Sequence, residues 1–202
     1  MHQQLSYLAL GDSYTIGEAV PLHQSFPYQT VQMLRKKGEQ FAAPEIVAKT
    51  GWTTDELMKA MKKFRFQPQY NFVSVLIGVN NQYRGRGEVE FKIAFEEILE
   101  IANTLSSKKN NRVFVLSIPD YSITPFAAKM NTKQVSKEIS VFNSVIRAVS
   151  VQYKVQYVDI CEEFKKAKTD PSLLAEDNLH PSAKEYAAWA KKLATQFSKQ
   201  LK

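Results

Sequence analysis

The first residues of chemical interest are a glycine-aspartate-serine stretch near the start of the chain. Gly11-Asp12-Ser13 follows the apolar run of residues 5–10, which predicts a buried strand ending at a tight glycine bend. A serine just past such a strand is held on a rigid scaffold and faces outward, where a nucleophile is useful. The stretch suits an ordinary Asp-Ser turn as well, and taken alone it favours that turn.

A second stretch, Asp177-Asn178-Leu179-His180, supplies a base together with a group that orients it. Because Asp177 and His180 are three positions apart, the carboxylate can accept one imidazole N–H while the other ring nitrogen faces the serine. Ester hydrolysis by a serine needs a base oriented in this way. A lone D-x-x-H more often marks polar residues ahead of a helix, here the capping box predicted at residues 182–185.

The same chemistry needs N–H donors aimed at the oxygen on which negative charge develops. Three suppliers are available: the backbone N–H of Ser13, the backbone N–H of Gly51 and the side-chain amide of Asn80. Glycine suits this role because it has no Cβ to obstruct the substrate oxygen. Taken alone, a strand-to-helix turn explains Gly51 equally well, and an Asx-turn explains Asn80.

Five apolar segments alternate with amphipathic helical segments along the chain. The predicted strands are residues 5–10, 45–49, 72–77, 112–118 and 155–160. The third is apolar almost throughout, which indicates burial on both faces, as in a parallel sheet. The alternation predicts an α/β fold with right-handed crossovers, in one domain spanning residues 1–202.

All four candidate segments follow predicted strands. Ser13 follows the first strand, Gly51 the second and Asn80 the third, and the stretch 177–180 comes after the fifth. Sites in open α/β sheets form outside the carboxyl ends of the strands, so these segments are expected to converge there.

In this order, the motifs closely resemble those of the SGNH (GDSL-type) hydrolases. They are GDS at 11–13, Gly51, G-x-N at 78–80 and D-x-x-H-P at 177–181, so the resemblance spans residues 9–181. It implies a flavodoxin-like three-layer α/β/α sandwich with a five-stranded parallel sheet in the order 2-1-3-4-5.

The resemblance also implies a role for each residue. Ser13 would be the nucleophile, His180 the base and Asp177 the group that orients the base. The N–H groups of Ser13 and Gly51 would form the oxyanion hole together with Asn80. The implied reaction is cleavage of a carboxylic ester through an acyl-enzyme, with no metal and no organic cofactor.

Two positions depart from the family pattern. Tyr14 stands where the family often has leucine, which predicts altered packing or an altered acyl pocket. Asn81 stands where the family often has aspartate, which removes a loop charge and leaves the local hydrogen bonds open.

Composition limits the other functional classes. The chain has 202 residues and a net charge of +7, but its lysines are interspersed with glutamates over helical segments. This pattern favours a solvated surface over binding to nucleic acid or to membrane headgroups. The single Cys161 excludes an internal disulfide, and three histidines without HxxxH or CxxC argue against a zinc site.

The expected partner is a small-molecule ester, with no nucleic acid and no stable membrane insertion. Because the first strand begins by Leu5, a signal peptide has no room, and the default localisation is cytoplasmic. An exported protein whose signal had been removed would have the same sequence. The sequence leaves the oligomeric state open.

The natural substrate is also open at this point. Tyr14, Trp52, Tyr83 and the loop from Tyr121 to Phe126 either line the substrate pocket or serve as core and lid packing. A small-acyl or carbohydrate esterase is the first interpretation, and a lysophospholipase or thioesterase is the alternative.

Two further interpretations remain open. Arg84 and Arg86 either meet an anionic substrate group or order their glycine-rich loop. The rival functional class is a non-catalytic flavodoxin-like binding module, against which the absence of Gly-x-Gly-x-x-Gly and Walker sequences argues.

Overall fold

A five-stranded parallel sheet forms the centre of the computed structural model, which describes residues 4–201. The strands are β1 (Tyr7–Gly11), β2 (Glu45–Ala48), β3 (Phe72–Leu76), β4 (Val113–Leu116) and β5 (Gln156–Val158). Their spatial order is β2-β1-β3-β4-β5, and every neighbouring pair is parallel. The predicted fold class and strand order are therefore confirmed. Both β1 and β3 are buried along their whole length, as expected for strands covered on both faces.

Helices cover both faces of the sheet. They are α1 (Ser13–Ile16), α2 (Phe26–Lys36), α3 (Thr54–Lys63), α4 (Val79–Tyr83), α5 (Glu88–Leu105), α6 (Thr132–Gln152), α7 (Cys161–Phe164) and α8 (Ala183–Gln200). The long helices form two groups, in which α2 packs against α8, and α5 packs against both α3 and α6. Among the described residues, no helix has the length and apolar character needed to cross a bilayer.

One aromatic side chain of α8 joins this helix to the sheet. The ring of Phe197 stacks on Phe72 of β3 at a centroid distance of 4.2 Å. It also lies 4.7 Å from the ring of Phe114 and 5.1 Å from the ring of Tyr7. Such pairs contribute about 0.5–1.5 kcal/mol each beyond their buried area. They fix α8 on the sheet, and with it the segment just before α8 that contains His180.

The fifth strand is shorter than predicted. It ends at Val158 because the side chain of Asp159 accepts hydrogen bonds from Cys161 N at 3.0 Å and Glu162 N at 3.3 Å. These bonds turn the chain into α7. Cys161 lies at the start of that helix and is half-buried, and burial raises the pKa of its thiol to about 11. Such a thiol is protonated at neutral pH and is a poor nucleophile.

The sequence Thr53-Thr54-Asp55-Glu56 also has the spacing of a capping box, and the two boxes have different outcomes. Thr53 and Glu56 form the first one, in which the Glu56 carboxylate accepts from Thr53 N at 2.9 Å. Only half of the second box forms. Ser182 Oγ accepts from Glu185 N, but Glu185 Oε1 accepts from Trp189 Nε1 at 2.7 Å instead of returning to Ser182. The reason is that Ser182 N already donates to Leu173 O at 2.8 Å.

Candidate active site

Ser13 lies at the first position of α1, immediately after the end of β1. A Cβ placed on Gly11 would lie 2.2 Å from Leu76 O on β3 and 2.1 Å from Thr15 Oγ1. Only glycine therefore permits the close approach that turns the chain from β1 into α1. The side chain of Ser13 is largely buried, with the residue 5% exposed, and it lines a pocket.

Asp12, beside this serine, is a fully buried carboxyl group. Its Oδ1 accepts a hydrogen bond from Tyr14 N at 3.1 Å, which caps α1, whereas its Oδ2 has no hydrogen-bond partner. Burial raises the pKa of Asp12 to about 8, although the hydrogen bond from Tyr14 N works in the opposite direction. The group is therefore mostly protonated at pH 7.

Residues 175–180, which we call the histidine turn, hold the imidazole with local contacts. Asp177 Oδ2 lies 2.6 Å from His180 Nδ1, and Asp177 Oδ1 accepts from His180 N at 2.9 Å and from Leu179 N at 3.0 Å. The turn closes through a hydrogen bond from Ala175 N to His180 O at 2.8 Å. It needs a left-handed residue, and Asn178 has a φ of +58°, which asparagine tolerates better than most residues.

The electrostatics of the histidine turn keep the aspartate ionised. Burial opposes the charge on Asp177, but the hydrogen bonds from the His180 ring and from the N–H groups of His180 and Leu179 outweigh it. The pKa of Asp177 is consequently lowered from its ordinary value. An ionised acceptor on Nδ1 fixes the ring orientation and leaves Nε2 for the pocket.

Ser13, Gly51, Asn80 and His180 all line one pocket, which has a volume of about 180 Å³. Asp177 contacts this pocket only through His180. Within the described residues, no hydrogen bond joins Ser13 to the His180 ring. Hydrogen bonds between catalytic groups are often long in the absence of substrate. The two motifs from opposite ends of the chain thus meet at one cavity.

Gly51 and Asn80 occupy two segments that we call the donor loops, residues 49–56 and 78–86. Gly51 has a φ of +83°, a backbone conformation that glycine adopts without strain. Asn80 lies in the first turn of α4. Its Nδ2 donates to Trp52 O at 3.0 Å. That bond uses one of the two amide hydrogens and leaves the second for a pocket ligand.

Asn81 joins the donor loops to each other. This residue is fully buried; its Oδ1 accepts from Thr54 N at 3.0 Å and its Nδ2 donates to Thr54 Oγ1 at 2.8 Å. The sequence left open which hydrogen bonds form where Asn81 replaces the aspartate that the family often has. In the structure the neutral amide of Asn81 bonds both Thr54 N and Thr54 Oγ1.

The two arginines of the donor loops bind protein groups. Arg84 donates to Gly51 O at 2.6 Å and pairs with Glu56 at 3.2 Å. Arg86 pairs with Asp55 at 2.5 Å and with Glu90 at 3.3 Å. Both guanidinium groups therefore have acceptors within the chain, which supports the loop-ordering interpretation.

Aromatic side chains form much of the remaining wall. Tyr14, Tyr83 and Tyr121 line the pocket, and Phe126 joins them. The Tyr14 ring is almost fully buried and stands edge-on to the His180 ring at a centroid distance of 5.4 Å.

The outer aromatic rings form a separate group. Tyr83, Tyr121 and Phe126 lie in pairs 6.3–6.4 Å apart, and Tyr83 is 54% exposed. For Trp52, left open between pocket wall and core packing, the structure favours the second: it is not among the residues lining the pocket, it packs against the core, and its carbonyl accepts from Asn80.

Sequence reasoning missed three pocket-lining residues: Thr50, Val79 and Leu179. Each lies directly beside a motif residue along the chain, and that adjacency is the one signal from which they could have been found. Within residues 4–201 there is no group of three or more histidine, cysteine, aspartate or glutamate side chains arranged to hold a metal ion.

Comparison with known proteins places these features in a family. A model of the GDSL-like lipase/acylhydrolase family matches residues 9–188. No curated protein sequence shows significant similarity to the chain.

Several solved structures share the fold. A lipase/acylhydrolase from Enterococcus faecalis is 17% identical, with 98% of this chain and 97% of that chain covered and a TM-score of 0.78. An acetylxylan esterase from Geobacillus stearothermophilus is 17% identical, with 98% and 96% covered and a TM-score of 0.74. A psychrotrophic esterase from Pseudoalteromonas sp. is 14% identical, with 97% and 98% covered and a TM-score of 0.73. Because the family model covers most of the chain, we conclude that this protein belongs to the GDSL-like lipase/acylhydrolase family, the SGNH carboxylic ester hydrolases.

Proposed function

We propose that this esterase cleaves carboxylic esters of short acyl chains through an acyl-enzyme formed on Ser13. The observation that carries the proposal is that an Asp177-bound His180 lines the same pocket as Ser13. Gly51 and Asn80 line the same cavity and offer the N–H donors that the reaction needs.

In the first half of the reaction, Ser13 Oγ attacks the ester carbonyl carbon and His180 takes the hydroxyl proton. The carbonyl oxygen becomes an oxyanion, which accepts from Ser13 N, Gly51 N and the free Asn80 amide hydrogen. The C–O bond to the alcohol then breaks, and the leaving oxygen receives the proton from His180.

In the second half, a water molecule attacks the acyl-enzyme with His180 again as the base. The Ser13–acyl bond breaks, the proton returns to Ser13 Oγ and the carboxylic acid leaves. Ionised Asp177 stabilises the imidazolium that forms in both halves, which agrees with its lowered pKa.

The size and lining of the pocket support a short acyl group. Its volume of about 180 Å³ lies below the ~300–1,000 Å³ of most small-molecule sites, and its walls include Val79, Leu179 and the aromatic rings. Acetyl to butyryl chains suit a space of this size, whereas a long fatty acyl chain would extend beyond the cavity. The acetylxylan activity named for one structural neighbour belongs to that protein, and acetylated sugars are the matching substrates to test here.

The direct test is labelling and turnover with Ser13→Ala. A fluorophosphonate should label the wild-type protein at Ser13, and the variant should lose kcat by about six orders of magnitude if the three residues act as a unit. Ser122→Ala is the matched control, because Ser122 lies in the 121–123 turn next to pocket residue Tyr121 but is not itself a lining residue. Wild-type turnover by Ser13→Ala would refute the mechanism.

The acyl preference is tested with p-nitrophenyl esters of increasing chain length, followed by acetylated sugars. We expect kcat/KM to be highest between acetate and butyrate and to fall for octanoate and longer chains. A maximum at decanoate or beyond would refute the short-acyl proposal and support a lysophospholipase or thioesterase, while leaving the role of Ser13 intact.

A further inference from the structure

We propose that Arg84 is a positioning residue for the oxyanion hole: by binding Gly51 O it holds the turn of residues 49–52 in the conformation that presents Gly51 N–H to the pocket. The inference rests on the proposed function, since it concerns a donor of that reaction. Arg84 itself does not touch the substrate; it acts through the Gly51 backbone.

The backbone conformation of the turn of residues 49–52 decides where Gly51 N–H points. It closes through a hydrogen bond from Trp52 N to Lys49 O at 3.2 Å, and its third residue, Gly51, has a φ of +83°. A positive φ at that position is the requirement of a type II turn. In a type I turn the central peptide is reversed, so the Thr50 carbonyl would point where Gly51 N–H points now. Glycine adopts both conformations, so Gly51 does not by itself determine the direction in which its N–H points.

Contacts on both sides of the turn anchor it to the neighbouring segments. Arg84 Nη2 donates to Gly51 O at 2.6 Å while Arg84 Nη1 pairs with Glu56 at 3.2 Å. On the other side, Thr50 Oγ1 donates to the carboxylate of Glu18. A planar guanidinium suits this place because its N–H groups reach two acceptors in fixed directions at once. The two contacts anchor the residues that flank the central peptide, Thr50 by its side chain and Gly51 by its carbonyl, so the place from which Gly51 N–H is presented depends on Arg84.

Arg86 provides the internal comparison. It follows Arg84 by two residues, and its guanidinium binds Asp55 at 2.5 Å and Glu90 at 3.3 Å. Both arginines therefore tie the second donor loop to the first turn of α3, but only Arg84 touches Gly51. If both arginines only hold the two donor loops together, replacing either one should lower activity to the same extent. If Arg84 also positions the turn of residues 49–52, its replacement alone should lower activity.

The experiment compares Arg84→Met with Arg86→Met in the full chain. Kinetics with p-nitrophenyl acetate should show kcat about 10-fold lower for Arg84→Met, as expected when one charge-assisted hydrogen bond is lost, with KM changed by less than about 2-fold. Arg86→Met should keep kcat within about 2-fold of wild type. Arg84→Lys should recover part of the loss, since an ammonium group reaches one of the two acceptors.

A second readout does not depend on turnover. The amide resonance of Gly51 in a ¹⁵N–¹H spectrum should move or broaden in Arg84→Met and stay in place in Arg86→Met. An unchanged Gly51 amide, or equal kcat losses in the two methionine variants, would overturn the inference. Failure of the proposed function looks different: Ser13→Ala would stay active, and the Gly51 resonance would still report whether Arg84 controls the turn.

Discussion

The histidine turn and the donor loops build two sides of one pocket in different ways. In the histidine turn, all three hydrogen bonds to the Asp177 carboxylate come from residues two or three positions further along the chain. In the donor loops, Asn81 reaches Thr54 across 27 residues and Asn80 reaches Trp52 across 28. One side is assembled by local sequence, and the other depends on two crossovers that bring separate strands together.

This difference indicates how each side should respond to substitution. A change in the histidine turn acts directly on one side-chain pair, so it should lower the reaction rate and leave the stability of the fold nearly unchanged. A change in the donor loops removes contacts between separate segments, so part of its effect should appear in stability. The following predictions test that division, beginning with the largest effect.

Asp177→Asn should reduce kcat by about 10⁴-fold, because a neutral amide neither stabilises the imidazolium nor fixes the ring tautomer. Melting temperature should change little, since Asp177 is partly exposed and Asn can still accept from the N–H groups of Leu179 and His180. Kinetics and thermal unfolding of the same preparation measure both effects. A large drop in melting temperature would show that the histidine turn is not locally independent.

Asn80→Ala should lower kcat by about 10²–10³-fold through loss of one oxyanion donor. The same change frees Trp52 O from its hydrogen bond, so a measurable loss of stability should accompany the kinetic effect. Chemical denaturation quantifies it. Unchanged kcat would remove Asn80 from the oxyanion hole and leave it with a purely structural role.

Asn81→Leu should lower the free energy of unfolding by about 2–4 kcal/mol, because it leaves Thr54 N and Thr54 Oγ1 buried without their partner. Asn81→Asp is the matched control. A carboxylate can accept from both Thr54 groups once the hydroxyl reverses its role from acceptor to donor. Near-wild-type stability is therefore expected for the aspartate variant. Equal losses of unfolding free energy in the two variants would show that the hydrogen bonds between residue 81 and Thr54 do not stabilise the donor loops.

The last prediction concerns pH and the residue next to the nucleophile. Because the folded-state pKa of Asp12 is raised from 3.8 to about 8, the folded protein retains a proton that the unfolded chain releases at neutral pH. The contribution of Asp12 to the free energy of unfolding should consequently fall by up to about 1.4 kcal/mol per pH unit between these two values.

Asp12→Asn keeps an acceptor for Tyr14 N and removes the titration. Urea unfolding of both proteins between pH 5 and 8 should show the stability of the variant rising relative to wild type as the pH increases. Parallel pH profiles would show that Asp12 ionises normally, and the short turn around the nucleophile would then tolerate a buried charge.

Sequence reasoning was most successful where local patterns decide the structure. The five strands agree with the structure, and so does the capping box at Thr53 and Glu56, while the strand order implied by the family resemblance is confirmed as well. It failed where a distant or competing partner intervenes. Glu185 has the spacing of a capping box, but its carboxylate binds the Trp189 indole inside the core. The end of β5 was misplaced because side chains bind the backbone there: Ser117 Oγ accepts from Ile160 N at 2.9 Å, and the Asp159 carboxylate accepts from the N–H groups of Cys161 and Glu162 at the start of α7.

The same limit applies to the site. The motif residues Ser13, Gly51, Asn80 and His180 could be chosen from type and spacing, and the structure brings all four to one cavity. Nothing in the spacing indicated that Trp52 would pack against the core while Leu179 lines the pocket, because that depends on how the side chains pack in three dimensions.

By itself, the sequence determined the alternation of buried strands and amphipathic helices, the family, and the Asp177–His180 pair, since each depends on residues close together in the chain or on a fixed order of motifs. Only the tertiary structure decided how the donor loops lock together and which acceptor each arginine takes. Those contacts join segments that meet because the parallel sheet aligns its carboxyl ends, and their partners are chosen by distance and direction in space.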